Sequence, residues 1–219
     1  MTTIGANLQA SLERIRRAGA LSEVRLIAVS KGQSVASIRD AQAAGQHAFG
    51  ENYLQEALVK IGQLKDLALE WHFIGPLQSN KTAAIAQHFD WVQSVDRDKI
   101  AQRLNDARPP ECPPLHICLQ VNIGNEASKH GVSEDAVMPL AESMRALPRL
   151  RLRGLMAIPE PDPMLAPMRF RELRALFDQL NARGMQLDTL SMGMSDDLES
   201  AIAEGATLVR VGRAIFGPR

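Results

Sequence analysis

The chain has 219 residues, 45% of them hydrophobic, which suits one α/β domain of barrel size or two small domains. Lys plus Arg and Asp plus Glu both number 25, so no net field draws in nucleic acid or an anionic membrane. No apolar run approaches the ~18 residues of a membrane span, and no signal-peptide core opens the chain, so the reading is a cytoplasmic protein.

The first segment sets Ile4, Leu8, Leu12 and Ile15 at helical spacing, with Arg14, Arg16 and Arg17 near its carboxyl end, where cations suit the dipole. Short apolar runs then alternate with helical stretches. Strands are expected at 25–30, 46–50, 70–75, 90–94, 115–122, 152–158, 187–191 and 207–211. Helices fit between them at 34–44, 52–66, 78–88, 96–107, 133–147, 165–183 and 195–204. Gly45, Gly184 and Gly205 stand just past three of these helices, as carboxyl-terminal caps do. Eight strands, seven intervening helices and one leading helix point to a single (β/α)8 TIM barrel with an extra N-terminal helix, spanning 1–219. An open doubly wound sheet is the alternative, but evenly spaced units favour closure. Cys118 falls within an apolar strand pattern and Cys112 lies nearby; a buried free thiol is favoured over a disulfide or metal role.

In such barrels function gathers at the carboxyl ends of the strands. Lys31 ends the apolar run Arg25-Leu26-Ile27-Ala28-Val29-Ser30 and shares a strand face with Ile27 and Val29. If those two fill the barrel, Lys31 points into its mouth. A lysine desolvated there is nucleophilic toward carbonyls; a solvated loop lysine is the plain alternative. Strand seven runs into Ser191-Met192-Gly193-Met194-Ser195, and strand eight into Gly212-Arg213 and one helical turn. Those are the two places where barrels hold phosphate, although Asp196 and Glu199 are also spaced as a capping box.

Arg210 lies in mid-strand and needs an acceptor, either a structural carboxylate inside the barrel or a ligand atom. Asn52 either donates to a ligand oxygen or caps the helix that begins near Tyr53. His72 reads as a satisfied core histidine, and Lys81 and Lys129 as solvated loop lysines.

Seven stretches carry a resemblance. They are Ala28–Lys31, Phe49–Tyr53, His72–Lys81, Gly154–Met156, Leu190–Asp197, Val209–Gly212 and Ala214–Gly217. In this order they resemble the pyridoxal phosphate homeostasis proteins, whose barrel is similar to the N-terminal domain of alanine racemase. The resemblance implies that Lys31 holds pyridoxal 5′-phosphate (PLP) as a Schiff base and that Arg210 faces the pyridine nitrogen. It implies that Ser195, the Ser191–Met194 backbone, Gly212 and Arg213 hold the phosphate, with Asn52 beside the cofactor and Met156 near the ring.

Three departures stand out. Arg213 replaces a small hydroxyl residue, Gln33 replaces a basic residue of some relatives, and the chain stops at Arg219, short of a tail many relatives carry. Lys129 matches a loop lysine of the family, which leaves a part in cofactor loading open.

The expected function is a non-catalytic PLP carrier in intracellular homeostasis, with PLP-dependent apoenzymes as possible acceptors. A racemase-like PLP enzyme and a Schiff-base aldolase are the alternatives. The chain shows no second domain to supply the catalytic tyrosine of a two-base racemase, and Tyr53 is its one tyrosine. The missing domain also argues for a monomer.

Overall fold

The computed structural model describes residues 2–19, 24–124, 130–160 and 162–217. Helix α1 (Thr3–Arg17) precedes β1 (Arg25–Val29) and α2 (Val35–Ala43). There follow β2 (Ala48–Glu51), α3 (Leu54–Gln63), β3 (Glu70–Phe73), α4 (Thr82–His88), β4 (Trp91–Val95) and α5 (Asp98–Ala107). The second half runs through β5 (Leu115–Gln120), α6 (Glu134–Ser143), β6 (Leu150–Met156), α7 (Ala166–Ala182), β7 (Thr189–Ser191), α8 (Leu198–Ala203), β8 (Leu208–Val211) and α9 (Arg213–Phe216).

Each strand pairs in parallel with the next, and β8 pairs with β1 through Ile27↔Arg210 and Ala28↔Val211, closing the barrel. The expected eight-stranded barrel with a leading helix is what forms.

Strand alternation divides the core in two. One face packs outward against the helices, with Phe49 and Phe73 of the strands and Phe89 and Phe170 of the helical layer fully buried. Each such side chain contributes about 1.5–3 kcal/mol. The other face fills the barrel, where Ile27, Ala48 and Leu208 form one small cluster and Trp91, Cys118 and Met156 another. Polar residues also stand inside: His72, Gln93, Ser191 and Arg210 are all buried. Helix α1 lies outside the barrel against α9 and α2, and Asn7 Nδ2 donates to Ile215 O at 3.0 Å.

Several helices begin later than their sequence patterns suggest. The helix expected from 78 starts at Thr82, after a turn in which Lys81 N donates to Gln78 O. The helix expected from 195 starts at Leu198. The stretch expected as one helix over 133–147 ends as α-helix at Ser143 and continues as a short 3-10 turn, Met144–Ala146. Cys118 is a buried free thiol, as expected, and burial pushes it up to about 12. Among the described residues no helix is long and apolar enough to cross a membrane.

Candidate functional site

Ile27 is buried inside the barrel and Val29 lies half-buried at its mouth, so the side-chain alternation carries on to Lys31. Lys31 sits half-buried in a turn with Gly32, whose φ of 72° is the left-handed conformation that glycine takes without strain. It lines a cavity of about 430 Å³ together with Ser195, Arg210, Gly212 and Arg213. Val29, Met194 and Asp196 complete the wall. Residues from β1, the β7–α8 loop and the end of β8 thus meet where the sequence places them.

The backbone around Lys31 is held from below by a buried ionic group. Lys60 Nζ donates to Ser30 O at 2.7 Å, to Glu51 Oε1 at 2.7 Å and to Glu56 Oε1 at 2.5 Å. Ser30 Oγ donates to the same Glu51 oxygen at 2.6 Å, and Gly32 N donates to Glu56 Oε1 at 2.6 Å. Both peptide groups flanking Lys31 are therefore tied to one ammonium, directly or through Glu56. Burial pushes the Glu51 carboxyl up, against the Lys60 and Ser30 bonds that pull it down. Glu51 falls in the Phe49–Tyr53 stretch with no role of its own expected, and Glu56 and Lys60 are not among the expected residues. The signal was there: Lys60 falls on the same helix stripe as buried Leu54 and Ala57, where a cation needs partners.

Arg210 is 4% exposed. Its Nη1 donates to Ser191 Oγ at 2.6 Å and its Nη2 to Ala157 O at 2.9 Å. Both partners are neutral, so of the two expected alternatives the contacting structural carboxylate is not found among the described residues. Burial lowers the guanidinium to about 10, opposed by the more distant Asp197 charge, and leaves it a cation at neutral pH. Ser191 is fully buried beneath it, so its side chain meets Arg210 and not the cavity.

The loop after β7 turns at Gly193, with φ of 93°, and a Cβ there would stand 2.5 Å from Ala201 Cβ. Only glycine lets this loop lie on α8. The capping box expected from Asp196 and Glu199 does not form. Asp197 instead accepts from Met194 N at 2.5 Å, and Glu199 pairs with Arg14 of α1 at 2.8 Å. Arg14 Nη2 also donates to Ser195 O at 3.0 Å, so the leading helix braces the loop. Across the mouth, Arg213 pairs with Asp196 at 2.6 Å, both largely exposed. Helix α9 is the single turn expected after Gly212.

Besides Ser191, two expected residues stand apart from the cavity lining. Asn52 does not cap α3: the cap position is Tyr53, with no side-chain bond, and Asn52 Oδ1 is buried without a hydrogen-bond partner. The chain just after β3 passes close against its backbone, since a Cβ at Gly75 would lie 2.1 Å from Asn52 O. Met156 is fully buried with Trp91 and Cys118 inside the barrel. His72 is the satisfied core histidine expected, bonded to Glu70 and Gln93. Lys81 occupies the cap position of α4. Lys129 lies outside the described residues.

The family model described as alanine racemase, N-terminal domain, matches residues 5–219. A pyridoxal phosphate homeostasis protein of Pseudomonas aeruginosa is 56% identical over 226 residues, spanning 100% of this chain and 97% of the relative. The structure of PipY from Synechococcus elongatus with PLP bound is 38% identical, with a TM-score of 0.87 over 98% of this chain and 100% of that one. Alanine racemase from Corynebacterium glutamicum shares the fold at 18% identity and a TM-score of 0.76, this chain covering 60% of it. The chain belongs to the alanine racemase N-terminal-domain family and, within it, to the pyridoxal phosphate homeostasis proteins.

Proposed function

We propose that this chain binds PLP reversibly for intracellular homeostasis, with Lys31 as the amine that takes its aldehyde. The observation that carries the reading is the shared cavity of Lys31 and Arg210, in which a buried guanidinium has only neutral hydrogen-bond partners among the described residues. The volume of about 430 Å³ lies within the ordinary range for small-molecule sites. Ser191 and Ala157 engage the two terminal nitrogens of Arg210, and a guanidinium has five N–H donors, so donors remain for a ligand acceptor.

In this reading Arg210 donates to the ring nitrogen and, as a permanent cation, gives it no proton. That makes the bound ring a weak electron sink, which suits storage better than carbanion chemistry. Ser195 and the backbone of Gly212 and Arg213 hold the phosphate. Ser191 orients Arg210 from below, Asn52 offers its unspent carbonyl oxygen beside the cofactor, and Met156 packs beneath the ring. Bound, the cofactor supplies an electrophilic aldehyde whose uptake by an amine is reversible.

The relatives are named for homeostasis and not for a reaction, which supports a carrier without a dedicated catalytic step. A racemase needs a second acid–base group facing the cofactor. Among the described residues Asp196, on the cavity wall, is engaged by Arg213, and Tyr53 is not in the lining but 61% exposed at the start of α3. The same proposal takes the carrier to be a cytoplasmic monomer of one domain, with PLP-dependent apoenzymes as recipients.

The test is to add PLP to the purified protein, reduce with borohydride and map the labelled peptide. The adduct is expected on Lys31 and is lost in Lys31→Ala. Failure to take up PLP overturns the reading. Exchange of amino-acid α-protons with solvent at enzymic rates overturns its non-catalytic part.

A further inference from the structure

A file of side chains crosses the barrel interior from Arg210 to the opposite mouth. Arg210 Nη1 meets Ser191 Oγ at 2.6 Å, and Ser191 Oγ meets Gln93 Oε1 at 2.6 Å. Gln93 Nε2 meets His72 Nδ1 at 3.0 Å, and His72 Nε2 meets Glu70 Oε1 at 2.7 Å. The elements concerned are β8, β7, β4 and β3, each contributing an inward-facing residue. Ser191, Gln93 and His72 have no exposed surface, so water screens none of the bonds between them, and solvent reaches the file at its Glu70 end.

The donor and acceptor roles follow from one end. A guanidinium only donates, so Ser191 Oγ accepts from Arg210 and gives its single proton to Gln93 Oε1. That leaves the amide nitrogen of Gln93 to donate to His72 Nδ1. The imidazole then carries its proton on Nε2, facing the Glu70 carboxylate. Burial holds His72 below its ordinary value, which agrees with a neutral ring. Every bond points the same way, from a buried cation to a carboxylate, so the intervening dipoles add. At the far end Glu70 also accepts from Arg25 Nη2 at 2.6 Å.

We propose that Ser191, Gln93, His72 and Glu70 are positioning residues for Arg210. They form a one-way hydrogen-bond relay that fixes the guanidinium at the cavity and couples it to a carboxylate on the opposite mouth. The relay accounts for a buried arginine whose contacting partners are all neutral. Its effect on a cofactor rests on the PLP reading of the cavity; the hold on Arg210 does not. None of Gln93, His72 and Glu70 lines the cavity, so each acts through Arg210.

The test reads Arg210 itself and the cofactor separately. In ¹⁵N-labelled protein the Arg210 Nε–H resonance, assigned by its loss in Arg210→Met, reports how firmly the guanidinium is held. Glu70→Gln keeps an acceptor for His72 and removes only the charge. Gln93→Met keeps the volume and cuts the relay. Glu70→Gln is expected to shift the Arg210 resonance without adding contacts near it. Gln93→Met is expected to speed its exchange with water by about tenfold, and both variants to weaken PLP binding by roughly threefold to tenfold.

An unchanged Arg210 resonance and unchanged PLP affinity in Glu70→Gln overturn the relay, even if Gln93→Met fails to fold. If the resonance responds but the wild-type protein takes up no PLP, the relay stands and the cofactor reading falls. If PLP binds Lys31 while Arg210 ignores both changes, the cofactor reading stands and the relay falls.

Discussion

The two mouths of the barrel hold cavities of nearly equal size, about 430 Å³ at the carboxyl ends of the strands and about 410 Å³ at the amino ends. Both have arginines close by. At the amino-end mouth those arginines are matched by the protein. Arg25 pairs with Glu70 at 2.6 Å and Arg153 with Asp188 at 2.7 Å, while Arg153 also covers the Trp91 ring at 4.8 Å. Arg108 gives its guanidinium to the carbonyls of Ala86, Phe89 and Pro113. At the carboxyl-end mouth Arg210 contacts no carboxylate among the described residues. Cavity volume therefore does not separate a binding site from a packing gap. Nor do neutral partners alone, since Arg108 is buried on three carbonyls. What sets the carboxyl-end mouth apart is that Arg210 spends only two hydrogen bonds on the described residues and shares its cavity with Lys31 and the Gly212–Arg213 turn.

The sharpest way to break that contrast is at Lys60, where the carboxyl-end mouth does contain a matched pair. Lys60 is 3% exposed and Glu51 0%. Lys60→Met strands the Glu51 carboxylate and releases both peptide groups beside Lys31. The expected loss is about 3 kcal/mol in urea unfolding, partly recovered by adding Glu51→Gln. A loss well under ~1 kcal/mol means that the group adds little beyond surface pairing.

Arg210→Met should give the opposite profile. It removes two hydrogen bonds to neutral partners but also sheds an expensive buried charge, so the unfolding midpoint moves less than in Lys60→Met. Binding of PLP should weaken by about tenfold or more, the worth of one hydrogen bond to a charged group. Calorimetric titration with PLP decides. A variant that unfolds easily and binds normally makes Arg210 a structural residue like those of the other mouth.

The sequence exposes the barrel and half of this site for one physical reason: periodicity and strand ends are local. Lys31, Gly212 and Arg213 follow from being the next residues after a strand. Arg210 is visible as a charge in an apolar run, and Gln93 in Trp91-Val92-Gln93-Ser94 carries the same kind of signal, though it is not among the expected residues. What stayed hidden is which distant groups meet. The Lys60–Glu51 pair joins a helix to a strand, and the Arg14 brace on Ser195 joins residues 181 positions apart. The capping readings at Asn52 and Asp196 failed because each helix starts two or three residues later than its pattern, after a loop shaped by tertiary contacts.

A smaller effect should separate the mouths by pH. His116 is half-buried near the amino-end mouth, where burial and then the Arg153 and Arg151 charges lower it from 6.5 to about 4. Its Nδ1 faces Arg153 Nη1 at 3.2 Å and so must stay unprotonated. The unfolded chain therefore takes up this proton first. Its contribution is complete above pH 6.5 and is lost as the pH falls through about 4. Glu70 acts lower down. Burial alone would raise it, but His72 and Arg25 hold it at about 2 against 4.5, so its contribution fades between those values. Urea midpoints at pH 7, 5.5 and 4.5 should fall for the wild type and fall less for His116→Gln. Equal slopes in the two proteins would remove His116 from the account.

The smallest effect is expected at Arg213, where the resemblance anticipates a small hydroxyl residue. The Arg213–Asp196 pair spans the carboxyl-end mouth with side chains 72% and 82% exposed, so water and salt screen it. Arg213→Ser should leave the melting temperature unchanged. It should weaken PLP binding at low salt by roughly twofold to threefold, because Asp196 then faces the phosphate without a partner. The difference should vanish in 1 M salt, where the screening length is about 3 Å. A weakening that survives high salt would assign Arg213 a direct bond to the phosphate. No weakening at either salt would leave that anion to Ser195 and the Gly212 backbone, with the surface pair serving only to keep Asp196 quiet.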